Sequence, residues 1–340
     1  MPNAIGALAV GRDGADGATP PAVLALDIGG TKIAAGVVDG SGRVHSFLVA
    51  PSRAQEGPGP ILERLFELGR QAVADSGVAW DDIPAVGIGC GGPLDAERGV
   101  LLSPPHLPGW DEVPVTALAE AAYERPAVLE NDATAAACGE HRYGAGAGTR
   151  HMVYLTLSTG VGGGVVVDGR LYRGARGNGG ELGHVTVDWR GRLCRGCGRR
   201  GCLEAYVSGT SIAERAAEAF HEAGMKVPDG VTAADVAAAA RSGDAVAIAV
   251  WDETVTALAC GVTSLVNLFE PELVVIGGGV SRSGEQLLAP VREWVRANSM
   301  RPAAQGAGIV ASALGEQVGV VGAAAIVYDR TASGDILPHA

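Results

Sequence analysis

Short apolar runs alternate with glycine-rich polar corners through the first half of the chain, and from residue 211 onward the pattern becomes mainly helical. The first run, Val23-Leu24-Ala25-Leu26, ends in Asp27-Ile28-Gly29-Gly30-Thr31-Lys32, and a second run over residues 33–38 follows with no helix between them. Strand, glycine turn, strand predicts a hairpin with Asp-x-Gly-Gly-Thr at its tip, continued by residues 43–49. Residues 61–75 carry Ile61, Leu62, Leu65, Leu68 and Ala72 at helical spacing. A buried strand over 86–89 closes in Cys90-Gly91-Gly92-Pro93, and residues 99–110 form a proline-rich loop anchored by Trp110. Such a rigid loop can wall a ligand cleft. A helix over 115–123 then leads to the stretch 128–140, where Val128 and Leu129 deliver Glu130, Asn131 and Asp132 to a strand end before a small-residue helix over 133–139.

The second half repeats this outline. A strand over 152–157, the turn Ser158-Thr159-Gly160-Val161-Gly162-Gly163-Gly164 and a returning strand 165–167 make another glycine-turned hairpin, and Asp168-Gly169 turns tightly into Leu171-Tyr172. Two such hairpins, one per half, predict two related lobes facing one nucleotide. Glu181 and His184 are expected at the mouth of a strand formed by Val185-Thr186-Val187. Helices are predicted over 211–223, 233–241, 245–269 and 286–298, the third apolar nearly all round and therefore buried. A strand over 272–276 closes in Gly277-Gly278-Gly279, residues 309–311 read as an edge strand, and 318–328 as the closing helix. The polar tail from Thr331 is expected to fray.

The corners carry the chemistry. At a strand-to-helix corner a carboxylate reaches solvent over rigid backbone, which suits Asp132 as a general base; Asn131 or Asp132 is also an ordinary helix cap. In the first hairpin tip, Gly29 and Gly30 let a phosphate approach backbone N–H groups, and Thr31 adds a hydroxyl. Asp27 at the strand end can hold magnesium through water. The glycines of 277–279 would let an adenine lie against backbone. Neither a Rossmann opening nor a P-loop fits, because the first glycine turn joins two strands and no G-x-x-x-x-G-K-[ST] occurs. His184, Cys194, Cys197 and Cys202 give H-x9-C-x2-C-x4-C. Three thiolates and an imidazole close a tetrahedral zinc site with no open position, so the metal would be structural.

Composition narrows the class. The 340 residues suit two domains, and 52 glycines fit many tight turns. A formal net charge of −12 argues against a nucleic-acid surface but leaves room for a small anionic ligand bound by backbone amides. No signal peptide is evident in the Gly/Ala/Pro-rich leader 1–21 and no transmembrane span or membrane partner is expected, which places the protein in the cytoplasm. Cys90, Cys138 and Cys260 stand singly in small or apolar settings and read as inert thiols.

In order, D-I-G-G-T-K (27–32), G-P-L-D (92–95), E-N-D-A (130–133), S-T-G-V-G-G-G (158–164), G-E-L-G-H (180–184), C-G-R-R-G-C-L-E (197–204) and V-I-G-G-G-V (275–280) resemble the ROK family of sugar kinases and repressors, within the actin-like ATPases. The resemblance implies an α/β fold with two ribonuclease-H-like lobes around a central cleft. The small lobe would comprise 22–132 plus 317–330 and the large lobe 133–316. It also implies transfer of the γ-phosphoryl group of ATP, with Mg2+, to the 6-hydroxyl of a hexose. On this resemblance Asp132 is the base, and Gly92, Asn131, Glu181, His184 and Glu204 bind the sugar. One ring nitrogen of His184 would bind zinc and the other the sugar. Asp27, Gly29, Gly30, Thr31, Lys32, Thr159, Gly160 and Gly162 would serve the triphosphate, and Gly277, Gly278 and Gly279 the adenosine.

Two departures stand out: Cys194 and Cys197 form C-x2-C where the family usually has C-x-C, and His106 follows Pro105 where Asn is frequent. Glucose is the expected acceptor, with N-acetylmannosamine, N-acetylglucosamine or another amino sugar as the alternative, and ATP is the expected donor, with polyphosphate as the alternative. A sugar-sensing repressor would resemble its family in carrying a DNA-binding domain ahead of residue 22, where only a short Gly/Pro-rich leader stands. A binding protein without activity fits poorly with an intact Asp132 and both phosphate turns. The resemblance further implies a homodimer or homotetramer, and a two-lobed cleft is expected to close on sugar.

Overall fold

The computed structural model describes residues 21–332, so the predicted leader lies outside the described residues apart from Pro21. The apolar runs expected as strands fold as such, residues 185–187 excepted. In the first half these are β1 (Val23–Ile28), β2 (Lys32–Val38) and β3 (Val44–Pro51), then helix α1 (Pro58–Ser76), β4 (Val86–Cys90), the two-residue pair β5 (Leu94–Asp95) and β6 (Val100–Leu101), α2 (Val115–Tyr123), β7 (Ala127–Asn131) and α3 (Asp132–Tyr143). The second half contributes β8 (Met152–Leu157), β9 (Val161–Val167), β10 (Arg170–Leu171), α4 (Glu204–Val207), α5 (Gly209–Glu222), α6 (Ala233–Arg241), α7 (Ala245–Phe269), β11 (Leu273–Gly277), α8 (Glu285–Asn298), α9 (Ala303–Gly306), β12 (Gly308–Ala311) and α10 (Val318–Ala332).

The strands form two five-stranded sheets of matching order, β3-β2-β1-β4-β7 and β10-β9-β8-β11-β12. In each, a glycine-turned antiparallel hairpin supplies the centre, a further antiparallel strand makes one edge, and two parallel strands complete the other side. The repeated outline in the sequence is thus a repeated topology.

Alternation along β1 sorts the first core. Leu24, Leu26 and Ile28 pack with residues of α1 and α2, whereas Val23 and Ala25 face α10. The crossing of α3 with α10 requires glycine on both sides. A Cβ on Gly322 would lie 2.5 Å from the Ala135 carbonyl oxygen, and one on Gly139 would lie 3.1 Å from Gly322 Cα. Gly87 lets α10 onto the sheet in the same way, because a Cβ there would lie 2.1 Å from the Ala323 carbonyl oxygen. Among the described residues, α7 is the one helix long and apolar enough to cross a membrane, and half of that apolar window is buried within this fold.

One expectation is corrected. Val185-Thr186-Val187 is not a strand: residues 182–184 make a single helical turn and Thr186 forms only an isolated bridge with Cys202. The segment is held instead by the cysteine loop, with Leu203 N–H donating to Val185 O (2.9 Å) and Val187 N–H to Gly201 O (2.8 Å). A local pattern of branched residues cannot reveal that its backbone partners lie in an irregular loop. Of the tail expected to fray, Thr331 sits in the last turn of α10, where its hydroxyl donates to Val327 O (2.8 Å), and residues 333–340 lie outside the described residues. Cys90 and Cys138 are buried as expected, whereas Cys260 is partly exposed.

Candidate active site

Parallel register in the first sheet decides which residues meet. Asp27 pairs with Gly89, which pairs with Glu130, and Ile28 pairs with Cys90, which pairs with Asn131. The carboxyl ends of β1, β4 and β7 therefore present Asp27, Gly91-Gly92 and Asn131-Asp132 along one rim, the usual place for ligands in such sheets.

At the end of β7, Asn131 caps α3: its Oδ1 accepts from the N–H groups of Ala133 (3.0 Å) and Thr134 (3.1 Å). Its amide nitrogen faces Gly92, 3.6 Å from where a Cβ on that glycine would be. The cap and the binding roles are thus compatible, since they use different atoms. Asp132 is the first residue of α3, and its Oδ1 accepts from Ala133 N–H (2.8 Å). The residue is exposed at the cleft, while the surrounding walls crowd its carboxyl. Desolvation pushes it above the usual carboxylate range, against the opposing pull of the Ala133 N–H and of His106. Asp27 lies across Gly89 from it: a Cβ on Gly89 would be 3.7 Å from Asp27 Oδ1 and 3.9 Å from Asp132 Cα. Burial, then the Asp132 charge, push the Asp27 carboxyl up to about 7, with Lys32 acting in the other direction.

A polar cleft opens from Gly92, Asn131 and Asp132 across to Gly162, Gly180 and Glu181 of the other half. Asn178 lines the same cleft. It was not singled out from the sequence, although it stands three residues before Glu181. A separate hollow beside His151, Glu270 and Glu272 opens at the amino end of β8 and contains none of these groups.

The glycine turns differ in how they are held. Thr31 and Lys32 are exposed at the first hairpin tip. Gly29 N–H donates to Lys32 O (3.0 Å), and the Ser52 hydroxyl donates to Gly30 O (2.6 Å). Thr159 is exposed in the second turn, Ser158 N–H donates to Gly160 O (2.9 Å), and Gly162 presses on α3, where its Cβ would lie 2.6 Å from that of Ala133. Gly277 and Gly278 have packing reasons. A Cβ on Gly277 would lie 2.7 Å from the Tyr154 hydroxyl, and Gly278 (φ +85°) would bring one 2.3 Å from Leu157 O. Gly279 alone faces open space.

The cysteine loop is set beside the cleft. One donor atom from each of His184, Cys194, Cys197 and Cys202 lies within 4.8 Å of all the others. His184 Nδ1 is 3.7 Å from Cys194 Sγ, and the Cys197 and Cys202 sulfurs are 3.5 Å apart. Zn–S bonds of about 2.3 Å in a tetrahedron imply sulfur separations near 3.8 Å, so the donor set fits zinc despite the C-x2-C spacing. His184 Nε2 points the other way, 3.9 Å from Glu181 Oε2. Glu204 opens α4 and spans two parts of the site: one oxygen accepts from Val161 N–H (2.9 Å) and the other from Cys194 Sγ (3.3 Å).

The comparisons agree with this architecture. A glucokinase of Thermotoga maritima is 38% identical over 316 residues, covering 91% of this chain and 98% of that protein. The crystal structure of a ROK hexokinase from Thermus thermophilus superposes with a TM-score of 0.78 at 38% identity, covering 92% of this chain and all of that one. A ROK family glucokinase from Streptomyces griseus, solved in complex with glucose and AMPPNP, gives a TM-score of 0.75 at 36% identity, covering 90% and 98%. The neighbours share the two-lobed actin-like ATPase fold. Residues 23–330 match the ROK family throughout, and the chain belongs to that family.

Proposed function

We propose that this chain is a hexokinase-type phosphotransferase, transferring the γ-phosphoryl group of ATP to the 6-hydroxyl of glucose. The observation that carries this reading is the placement of Asp132, with its raised carboxyl pKa, in one cleft with Asn131, Gly92 and Glu181, beside the first glycine turn. Similarity to glucokinases over most of the chain supports it.

In the reaction the 6-oxygen attacks the γ-phosphorus, the bond from that phosphorus to the β–γ bridging oxygen breaks, and ADP leaves. The hydroxyl proton passes to an Asp132 oxygen. A carboxyl with a raised pKa is a better proton acceptor than an ordinary one, provided it is ionised at the working pH. Transfer otherwise depends on alignment and charge stabilisation. The Asn131 amide, Gly92, Glu181, His184 Nε2 and Glu204 would hold the other hydroxyls. Asp27, the turn Gly29–Lys32 and the turn Thr159–Gly162 would hold the triphosphate, and Gly279 the adenosine side. Asp27 is a hard oxygen donor at the phosphate end and would hold magnesium through water; when bound, that ion neutralises phosphate charge. Zinc on His184, Cys194, Cys197 and Cys202 would fix Glu181, His184 and Glu204 relative to one another. We assign 22–132 and 317–330 to one lobe and 133–316 to the other; α10 packing on the first sheet and α3 against β9 support that division.

ADP release with MgATP across glucose, mannose, N-acetylmannosamine, N-acetylglucosamine and amino-glucoses tests the reading. Glucose is expected to be preferred, and Asp132→Asn to lower kcat by about 100- to 10,000-fold. A preference for an amino or N-acetyl sugar would reassign the acceptor, and no turnover on any sugar would overturn the kinase assignment.

A further inference from the structure

We propose that His106 is a catalytic residue whose imidazole N–H donates to a non-bridging oxygen of the γ-phosphoryl group as it moves from ATP to the sugar. The proposal rests on the kinase reading above and adds a group that the family pattern, with Asn frequent at this place, does not supply.

His106 is fixed between the buried anchors Leu107 and Trp110 on one side and the buried Pro104 on the other, and Leu107 N–H donates to Pro104 O (2.9 Å). The histidine lies on two glycines at once. A Cβ on Gly30, in the first phosphate turn, would be 3.0 Å from His106 O and 3.1 Å from its Cβ. A Cβ on Gly91 would be 2.5 Å from the ring carbon Cε1 and 3.0 Å from Nε2. The imidazole therefore fills the gap between the phosphate turn and the Gly91-Gly92 wall. Its charge and that of Asp132 sense each other.

Among the described residues no protein group hydrogen-bonds this half-buried ring. An imidazole carries a donor and an acceptor in its neutral form, and here the protein takes neither, which leaves both available to a ligand. The residues lining the sugar side of the cleft do not include His106. It sits instead against Gly30 of the first glycine turn and within electrostatic reach of Asp132, so a phosphoryl group held by that turn and moving to the oxygen that Asp132 activates would pass its ring. A group so placed meets charge that is redistributed during transfer, and removing one such donor typically lowers rate by about 100-fold or more.

Steady-state kinetics with glucose and MgATP would compare wild type, His106→Phe and His106→Gln, with melting temperatures to show that each folds. Phenylalanine keeps the ring volume without a donor, and glutamine keeps an N–H near the position of Nε2. The expected result is a kcat about 100-fold lower in H106F, with KM for glucose and for ATP within about threefold of wild type, and partial recovery in H106Q. An H106F enzyme with wild-type kcat, or a loss carried by KM for glucose with kcat retained, would overturn the proposal. If wild type turns over no sugar, the kinase reading fails separately. Ring-15N histidine spectra with and without magnesium and AMPPNP then decide: a shifted His106 resonance supports contact with the phosphoryl end, and an unmoved one overturns it.

Discussion

Asp27 near the end of β1 and Asp132 just past the end of β7 come from non-adjacent strands of one sheet and face each other across Gly89 of the strand between them. Their closeness has a thermodynamic consequence. The Asp27 carboxyl titrates near 3.8 when unfolded and at about 7 when folded. Between those values the folded state holds a proton that the unfolded chain has lost, so stability falls as pH rises through the window and is fully retained below it. Asn at 27 is uncharged throughout. In the absence of nucleotide and magnesium, Asp27→Asn is expected to melt near wild type at pH 4 and progressively above it up to about pH 7, with a constant difference beyond. A difference that does not change with pH, read by calorimetry, would show that Asp27 is not the group whose burial is opposed. His106 marks the limit of reading residue by residue. Its letter departs from the family's frequent Asn, but only the folded loop shows that its ring rests on Gly91 and its backbone on Gly30.

At the scale of elements, the hairpins were legible because a strand, a glycine turn and a returning strand are neighbours in sequence, and the pairing of β1 with β2 and of β8 with β9 follows from chain connectivity. The cysteine loop was legible as a ligand set for the same reason. It is short, and its four donors converge. What it does to its surroundings was not. The loop replaces a strand at 185–187 with backbone bonds from Val187 and Leu203, and ties Glu204 to the second glycine turn. Zinc removal is expected to loosen all of these together. Metal analysis should find about one zinc per chain, and a strong chelator should lower the melting temperature and raise KM for glucose. Cys202→Ala should reproduce both effects. A chelator-treated protein with unchanged melting temperature and unchanged KM would remove the structural role.

The whole molecule is joined by more than its chain crossovers. Arg173, just after β10, donates from Nε to Glu130 at the end of β7 (2.8 Å) and from Nη2 to Asp329 in α10 (3.0 Å). The Glu130 side chain is 1% exposed, and besides the Asn131 N–H (3.1 Å) it has Arg173 as its ion-pair partner. Arg173→Ala is expected to destabilise by about 3 kcal/mol, because it strands a buried carboxylate next to Asn131 and Asp132. Adding Glu130→Gln should recover much of the loss; a double variant as unstable as the single would show that the ion pair is not the cause. Glucose is expected to close the cleft, read as a smaller radius of gyration by small-angle scattering. An unchanged radius at saturating sugar would exclude closure.

The sequence by itself determined the local pieces: the glycine-turned hairpins, the capped corner at Asn131-Asp132, the four zinc-type donors and the repeat of one outline in both halves. Each of these is a matter of backbone freedom, side-chain period or ligand spacing within a few tens of residues. Only the tertiary structure decided which strand ends share a rim, why Gly87 and Gly322 have no side chain, that Arg173 reaches Glu130, and that His106 lies between the phosphate turn and the sugar wall. Those outcomes depend on parallel pairing and helix crossings between segments far apart in the chain. A glycine looks the same in sequence whether it makes a turn or admits a neighbouring backbone.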